Sequence, residues 1–243
     1  ARKYHARVYE TFPIRQWDHW RDDRRTHLFV QPVAGGPARD LLAGTALAAS
    51  PGFGGPETVT GEELQHCWAP DGQSLVFSAT TGRNAAAYAS VHMSLYQAPL
   101  AGGQPRLLTP SEDSYTRPAF ARDGKALYAL REQHGAEGYY LDRLVRLAWP
   151  APAGPEVLTG SFDRSVGAFA ESTGGLYFLA EDAGLERLYT LRGGRAEPAF
   201  EMARGAYTHL AAARSTGQLF AAWESAVNPA ELVRIDPRSG HRA

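Results

Sequence analysis

Along most of the chain, apolar runs of about four to six residues alternate with turns rich in Gly, Pro and Asp. Runs of that length bounded by such turns predict β-strands. No long amphipathic helical period interrupts them, which argues against alternating strand–helix units. One element recurs: a small or aromatic residue, a Gly turn, then a short apolar strand. It reads Cys67-Trp68-Ala69-Pro70-Asp71-Gly72-Gln73-Ser74-Leu75-Val76-Phe77 and returns as Ala119-Phe120-Ala121-Arg122-Asp123-Gly124-Lys125-Ala126-Leu127-Tyr128. Weaker copies run from Ala168 to Phe178 and from Ala213 to Phe220, and the turn glycines Gly72, Gly124, Gly174 and Gly217 lie 52, 50 and 43 residues apart.

A second element alternates with the first, a strand followed in most copies by a Gly-Gly turn. It appears at Leu28–Gly36, Leu95–Gly103, Leu144–Leu147, Leu188–Gly194 and Leu232–Asp236, and Leu107-Leu108-Thr109 and Val157-Leu158-Thr159 follow two of its copies at matching places. Asp-Gly and Gly-Gly between apolar runs are hairpin turns, because the tight turn needs positive φ. Two hairpins per period of 43–52 residues are the mark of a four-stranded propeller blade. The expected fold is therefore all-β: a β-propeller segment of four-stranded antiparallel blades, about four to five of them in an open arc. The blades should span roughly 26–43, 62–110, 114–160, 165–200 and 205–243. An all-β sandwich with fortuitous turns is the competing architecture. In the propeller reading Trp68 and Phe120 are inter-blade core, and Cys67 is a buried small residue.

Composition narrows the function more than the fold. The 243 residues carry a net charge of −1, so no basic footprint for nucleic acid or an anionic membrane surface is present. The chain has no apolar run of membrane-spanning length. One cysteine excludes an internal disulfide framework and a cysteine-based zinc cluster, without fixing the compartment. Arg outnumbers Lys 23 to 2, which reads as genome bias, bacterial in flavour, rather than as a binding surface. The chain starts at Ala1 without a signal-like run and stops just after a turn, as expected of a segment cut from a longer polypeptide.

Three stretches break the repeat. Residues 8–25 contain Pro13 at a plausible first helical position, with Ile14, Trp17 and Arg21 on one face, and predict a short inserted helix. Residues 43–61, rich in Gly, Ala and Pro, read as a flexible loop between blades, and Asn84–Tyr88 is a further excursion.

The Asp-Gly repeats resemble the TolB-like propeller. The stretch Pro13-Ile14-Arg15-Gln16-Trp17-Asp18-His19-Trp20, followed by Arg25-Thr26-His27-Leu28-Phe29-Val30, resembles the propeller of prolyl-oligopeptidase-family serine peptidases. The closest branch is the acylaminoacyl peptidases and the dipeptidyl peptidase V group. The resemblance implies a propeller that caps a C-terminal α/β-hydrolase domain of the same polypeptide, restricts entry to short peptides and helps hold the substrate's N-terminal end. It implies no cofactor, and a homo-oligomer is compatible with it. The catalytic triad would lie in the hydrolase domain, and no Gly-x-Ser-x-Gly elbow occurs here. No His-Glu-x-x-His or Gly-rich phosphate loop occurs either.

On that resemblance the candidate substrate-binding residues are Arg15, Trp17, Asp18 and Trp20. A substrate ammonium needs a carboxylate, and an indole face adds cation–π attraction. Asp18 between Trp17 and Trp20 supplies both, with Arg15 orienting Asp18 or holding a carbonyl. The bland alternative is that the tryptophans plug the insert and Arg15–Asp18 is a structural ion pair. Glu62-Glu63 could hold an amine, but its context predicts a solvated loop. His134 and Glu137 are at most half a metal site, so no metal is expected. Two rivals remain: a TolB-like interaction propeller without activity, and a channel enzyme such as a lactonase.

Overall fold

The second strand of each repeat is apolar on both faces, which only a strand sandwiched between neighbouring sheets can satisfy. The computed structural model describes residues 24–58, 61–86, 88–110, 112–135, 139–202 and 204–243, together with 5, 15–16 and 18–20. Two compact units divide the chain, Ala1–Ala119 and Phe120–Ala243.

Three short hairpin ladders and one helix precede the first full sheet. They are β1 (Arg15–Gln16) with β2 (His19–Trp20), β3 (Phe29–Val30) with β4 (Arg39–Asp40), the helix α1 (Ala46–Ala49), and β5 (Glu57–Thr58) with β6 (Gly61–Glu62). Four antiparallel sheets follow in chain order, the blades of a β-propeller. The first holds β7 (His66–Trp68), β8 (Ser74–Ala79), β9 (Ser94–Pro99) and β10 (Arg106–Leu107). The second holds β11 (Ser114–Phe120), β12 (Ala126–Glu132), β13 (Arg143–Ala148) and β14 (Glu156–Val157). The third holds β15 (Phe169–Ser172), β16 (Gly175–Asp182), β17 (Leu185–Arg192) and β18 (Arg195–Pro198). The last has three strands, β19 (Ala206–Ala212), β20 (Leu219–Ser225) and β21 (Asn228–Ile235). No described helix is long and apolar enough to cross a membrane.

The repeat seen in sequence is a repeat of hydrogen bonds. In the first blade Gly72 N–H donates to Ala69 O and Ala69 N–H to Ser74 O, each at 2.9 Å. Gly124, Ala121 and Ala126 repeat this at the same distances, and in the last blade Gly217 donates one residue further back, to Ala213 O at 2.7 Å, while Ala213 N–H donates to Gln218 O at 2.8 Å. Asp71 and Asp123 each accept the amide two residues on at 2.9 Å, closing the turn from the side-chain side. Gly72, Gly124 and Gly217 take φ of +66°, +71° and +70°. In the third blade Thr173-Gly174 is a two-residue loop closed by the Ser172–Gly175 pair, and the left-handed residue is Gly175 (φ +126°) rather than the expected Gly174.

The threonines after the second element have a matching reason. Thr109 and Thr159 are both 2% exposed, and their hydroxyls accept the amides of Leu95 and Leu144 at 3.0 and 2.9 Å. Each pairs a buried donor at the start of a strand.

The described residues of 43–61, which are 43–58 and 61, do not form the flexible loop expected from their composition. Thr45 caps α1 by accepting from Ala48 N–H, Phe53 is wholly buried, and Gly54 exchanges two backbone hydrogen bonds with Thr80 at 3.0 and 2.8 Å. A Cβ at Gly52 would stand 2.2 Å from Thr81 O, and one at Gly55 2.2 Å from Glu63 O. The glycines are there for close backbone approach, not for mobility. Arg25 fastens the same segment by donating to Ala48 O at 2.6 Å and to Ser50 O. Trp68 is also a correction: it is 46% exposed rather than core, and Cys67 is half-buried. Phe120 packs edge-on against Trp149, with ring centroids 4.8 Å apart.

Candidate functional site

The segment 15–20 is a hairpin, not the expected helix. Arg15 is the ladder partner of Trp20, and Gln16 of His19. Directly opposed residues of an antiparallel pair share a face, so Arg15 and Trp20 meet. The Arg15 guanidinium carbon stands 5.9 Å from the Trp20 ring centroid. Asp18 is exposed in the connecting turn, and Trp20 is 56% exposed. Trp17 lies outside the described residues, as do Ile14 and Arg21 of the expected helical face. The structure thus brings Arg15 and Trp20 together across the ladder and places Asp18 in the turn between the two strands. A carboxylate and an aromatic ring are the two groups whose chemistry suits an ammonium.

Glu62 is not the solvated carboxylate that sequence context suggested. Its Oε2 accepts from Arg83 Nη1 at 2.6 Å, with side chains 9% and 17% exposed. Gly54 makes room for the pair, since a Cβ there would lie 2.8 Å from Glu62 Oε2. Glu63 is exposed. Glu137 lies outside the described residues, and His134 Nε2 stands 3.6 Å from Glu132 Oε2. Among the described residues no group of three or more His, Cys, Asp and Glu side chains is placed to hold a metal ion.

Sequence reasoning missed two polar centres. In the first, Asp40 Oδ2 lies 2.6 Å from His27 Nδ1 while its Oδ1 accepts the amides of Leu42 and Ala43 at 2.8 and 3.1 Å. Burial would raise the Asp40 carboxyl, but the Leu42 amide, His27 and the Ala43 amide together hold it below its usual range. In the second, Asp182 accepts from Tyr189 Oη at 3.0 Å and from Arg164 Nη2 at 2.9 Å, with Arg187 Nη1 at 3.4 Å. The Tyr189 hydrogen bond first, and then the two guanidinium groups, hold its carboxyl low against the effect of burial. This network borders a cavity of about 370 Å³ that Arg195 also lines. Its only sequence signal is the Glu181-Asp182-Ala183-Gly184 hairpin turn; the partner Arg164 comes from a preceding loop. Both carboxylates are saturated by donors, so neither is available as a base or nucleophile.

No family model and no curated protein sequence matches the chain. Solved structures do. The β-propeller domain of the Trilobed protease from Pyrococcus furiosus matches with a TM-score of 0.55 at 16% identity, covering 75% of this chain and 52% of that one. A puromycin-hydrolyzing peptidase from Mycobacterium tuberculosis matches at 0.61 and 16%, over 92% of this chain and 36% of that one. TolB from Acinetobacter baumannii matches at 0.60 and 13%, over 89% and 47%. The chain therefore spans about a third to a half of the length of these three proteins. With its Asp-Gly blade turns and four successive antiparallel sheets, it has a TolB-like β-propeller fold, the fold of the Trilobed protease's propeller domain.

Proposed function

We propose that this chain is the non-catalytic propeller of a serine exopeptidase, acting with an α/β-hydrolase domain of the same polypeptide. Its role is to gate access to the active site and to hold the N-terminal end of a short peptide. The observation that carries the reading is the β1–β2 hairpin, whose ladder pairs Arg15 with Trp20 and whose turn holds Asp18. The likeness in fold to two peptidases supports it. Asp18 would accept from the substrate ammonium, and Trp20, with Trp17, would present a ring face to it. Arg15 holds Trp20 in place, or meets a substrate carbonyl. The parent reaction is acyl transfer from the peptide to serine and then to water, releasing a dipeptide or an acylated amino acid.

Calorimetric titration of the chain with a tripeptide and with its N-acetyl derivative tests this. The free-amine peptide is expected to bind more tightly, and Asp18→Ala to weaken it roughly tenfold while leaving the acetylated peptide unchanged. A preference for the acetylated peptide would move the specificity to acylaminoacyl substrates and remove Asp18 from the site. A second reading, a protein-interaction propeller without activity, is favoured by the likeness to TolB. It would stand if neither peptide binds and the full-length polypeptide shows no peptidase activity.

A further inference from the structure

Residues 172–174 of the third blade, with 216–219, 234–238 and His241 of the last, line a cavity of about 420 Å³ within the unit Phe120–Ala243. That is a small-ligand volume, since such sites span about 300–1,000 Å³. Its walls are fixed. Ser172, 7% exposed, donates its hydroxyl to Gly217 O at 2.6 Å. A Cβ at Gly217 would stand 2.6 Å from the Thr173 amide nitrogen, so the two blade turns meet backbone to backbone. The turn after β21 is closed by Gly240 N–H to Asp236 O at 2.8 Å and by Asp236 N–H to His241 O at 2.9 Å.

One buried group in this wall is unspent. Tyr177 is 7% exposed and lines the cavity, and its hydroxyl has no hydrogen-bond partner among the described residues. Gly174, also in the lining, leaves the space before it open: a Cβ there would lie 3.0 Å from Tyr177 Oη. A buried phenol ordinarily finds a partner, and here the open side is the cavity. The charges around it have one dominant sign. Arg234, Arg238 and His241 line the same cavity, are exposed, and form no salt bridge among the described residues. Asp236, the carboxylate of the lining, is occupied by its own turn: Oδ1 accepts the Arg238 amide and Oδ2 the Ser239 hydroxyl, each at 2.9 Å. Those two bonds, more than the Arg238 guanidinium, hold its carboxyl below the usual range.

We propose that this cavity binds a small phosphate monoester, its phosphoryl group meeting Arg234, Arg238 and the Tyr177 hydroxyl. Two guanidinium forks and a phenol offer more donors than the two oxygens of a carboxylate can use, and they suit the three terminal oxygens of a phosphoryl group. The volume exceeds that of bare phosphate and leaves room for the organic part of the ester beside Pro237.

The test is calorimetric titration of the chain with phenyl phosphate, inorganic phosphate and benzoate. Phenyl phosphate is expected to bind saturably, about tenfold more tightly than either of the others. Arg234→Gln and Arg238→Gln should each weaken it about tenfold. Tyr177→Phe should weaken it about fivefold without lowering Tm, because no hydrogen bond within the protein is lost. A phenol that served only the fold would do the reverse. Benzoate or inorganic phosphate bound as tightly as phenyl phosphate, affinity that survives both arginine substitutions, a Tyr177→Phe variant with lowered Tm and intact affinity, or no saturable binding overturns the inference. None of these outcomes bears on the peptide-binding reading, whose hairpin belongs to the other unit.

Discussion

Replacing Thr159 by Val separates the two properties of a buried threonine, its hydroxyl and its apolar methyl. The hydroxyl accepts the Leu144 amide at 2.9 Å, and both residues are buried, at 2% and 0% exposure. Val has almost the same shape, so no cavity forms. What changes is that the Leu144 N–H loses its partner where water cannot replace it. A buried donor left unsatisfied costs about 1–3 kcal/mol. Thr159→Ser keeps the acceptor and removes one methyl, a loss of about 0.8 kcal/mol. Hydrophobicity alone would rank Val as the better substitute; the structure ranks Ser above it. Urea denaturation followed by tryptophan fluorescence measures both, with stability read from the midpoint at unchanged slope. The Val variant is expected to fall below the Ser variant, and Thr109→Val, at the matching place in the first blade, to behave alike. A Val variant as stable as wild type would refute the role assigned to these threonines.

Arg83→Met leaves the Glu62 carboxylate buried without its cation and should cost about 3–5 kcal/mol, while the double variant Glu62→Leu/Arg83→Met recovers most of the loss; denaturation midpoints of the three proteins decide it. Tyr128 is pushed up to about 12 by burial and by Glu171, whose Oε1 accepts its hydroxyl at 3.3 Å. A phenol raised in the fold stabilises it below the unfolded value near 10, and that contribution is lost as pH rises through the folded value. Stability should therefore decline between pH 10 and 12 in the wild type and decline less in Tyr128→Phe, as measured by denaturation at each pH, with absorbance near 295 nm following the ionisation.

The blades were legible in the sequence because a hairpin turn is a local event. Asp71-Gly72 and Asp123-Gly124 carry both the left-handed residue and the side chain that closes the turn, and the apolar run after each is long enough for one strand. Thr109 and Thr159 could be matched by position before their role was visible, because the role depends on an amide 14 or 15 residues earlier. Where local signals were ambiguous, tertiary context overrode them. Pro13 and a three-residue face suggested a helix, yet Arg15–Trp20 pair as strands. The glycines of 52–55 suggested mobility, yet they admit a backbone that touches Thr81 and Glu63.

Turn chemistry and the repeat were determined by residues within a few positions of one another, and the sequence alone determined them. The tertiary structure decided which polar groups meet: Glu62 with Arg83, Asp182 with Arg164, and the Arg117 amide with Gln65, partners 18 to 52 residues apart. It also decided that Trp68 keeps nearly half its surface in solvent. Burial and charge pairing depend on what the neighbouring strands and loops bring to a position, and no local pattern encodes that.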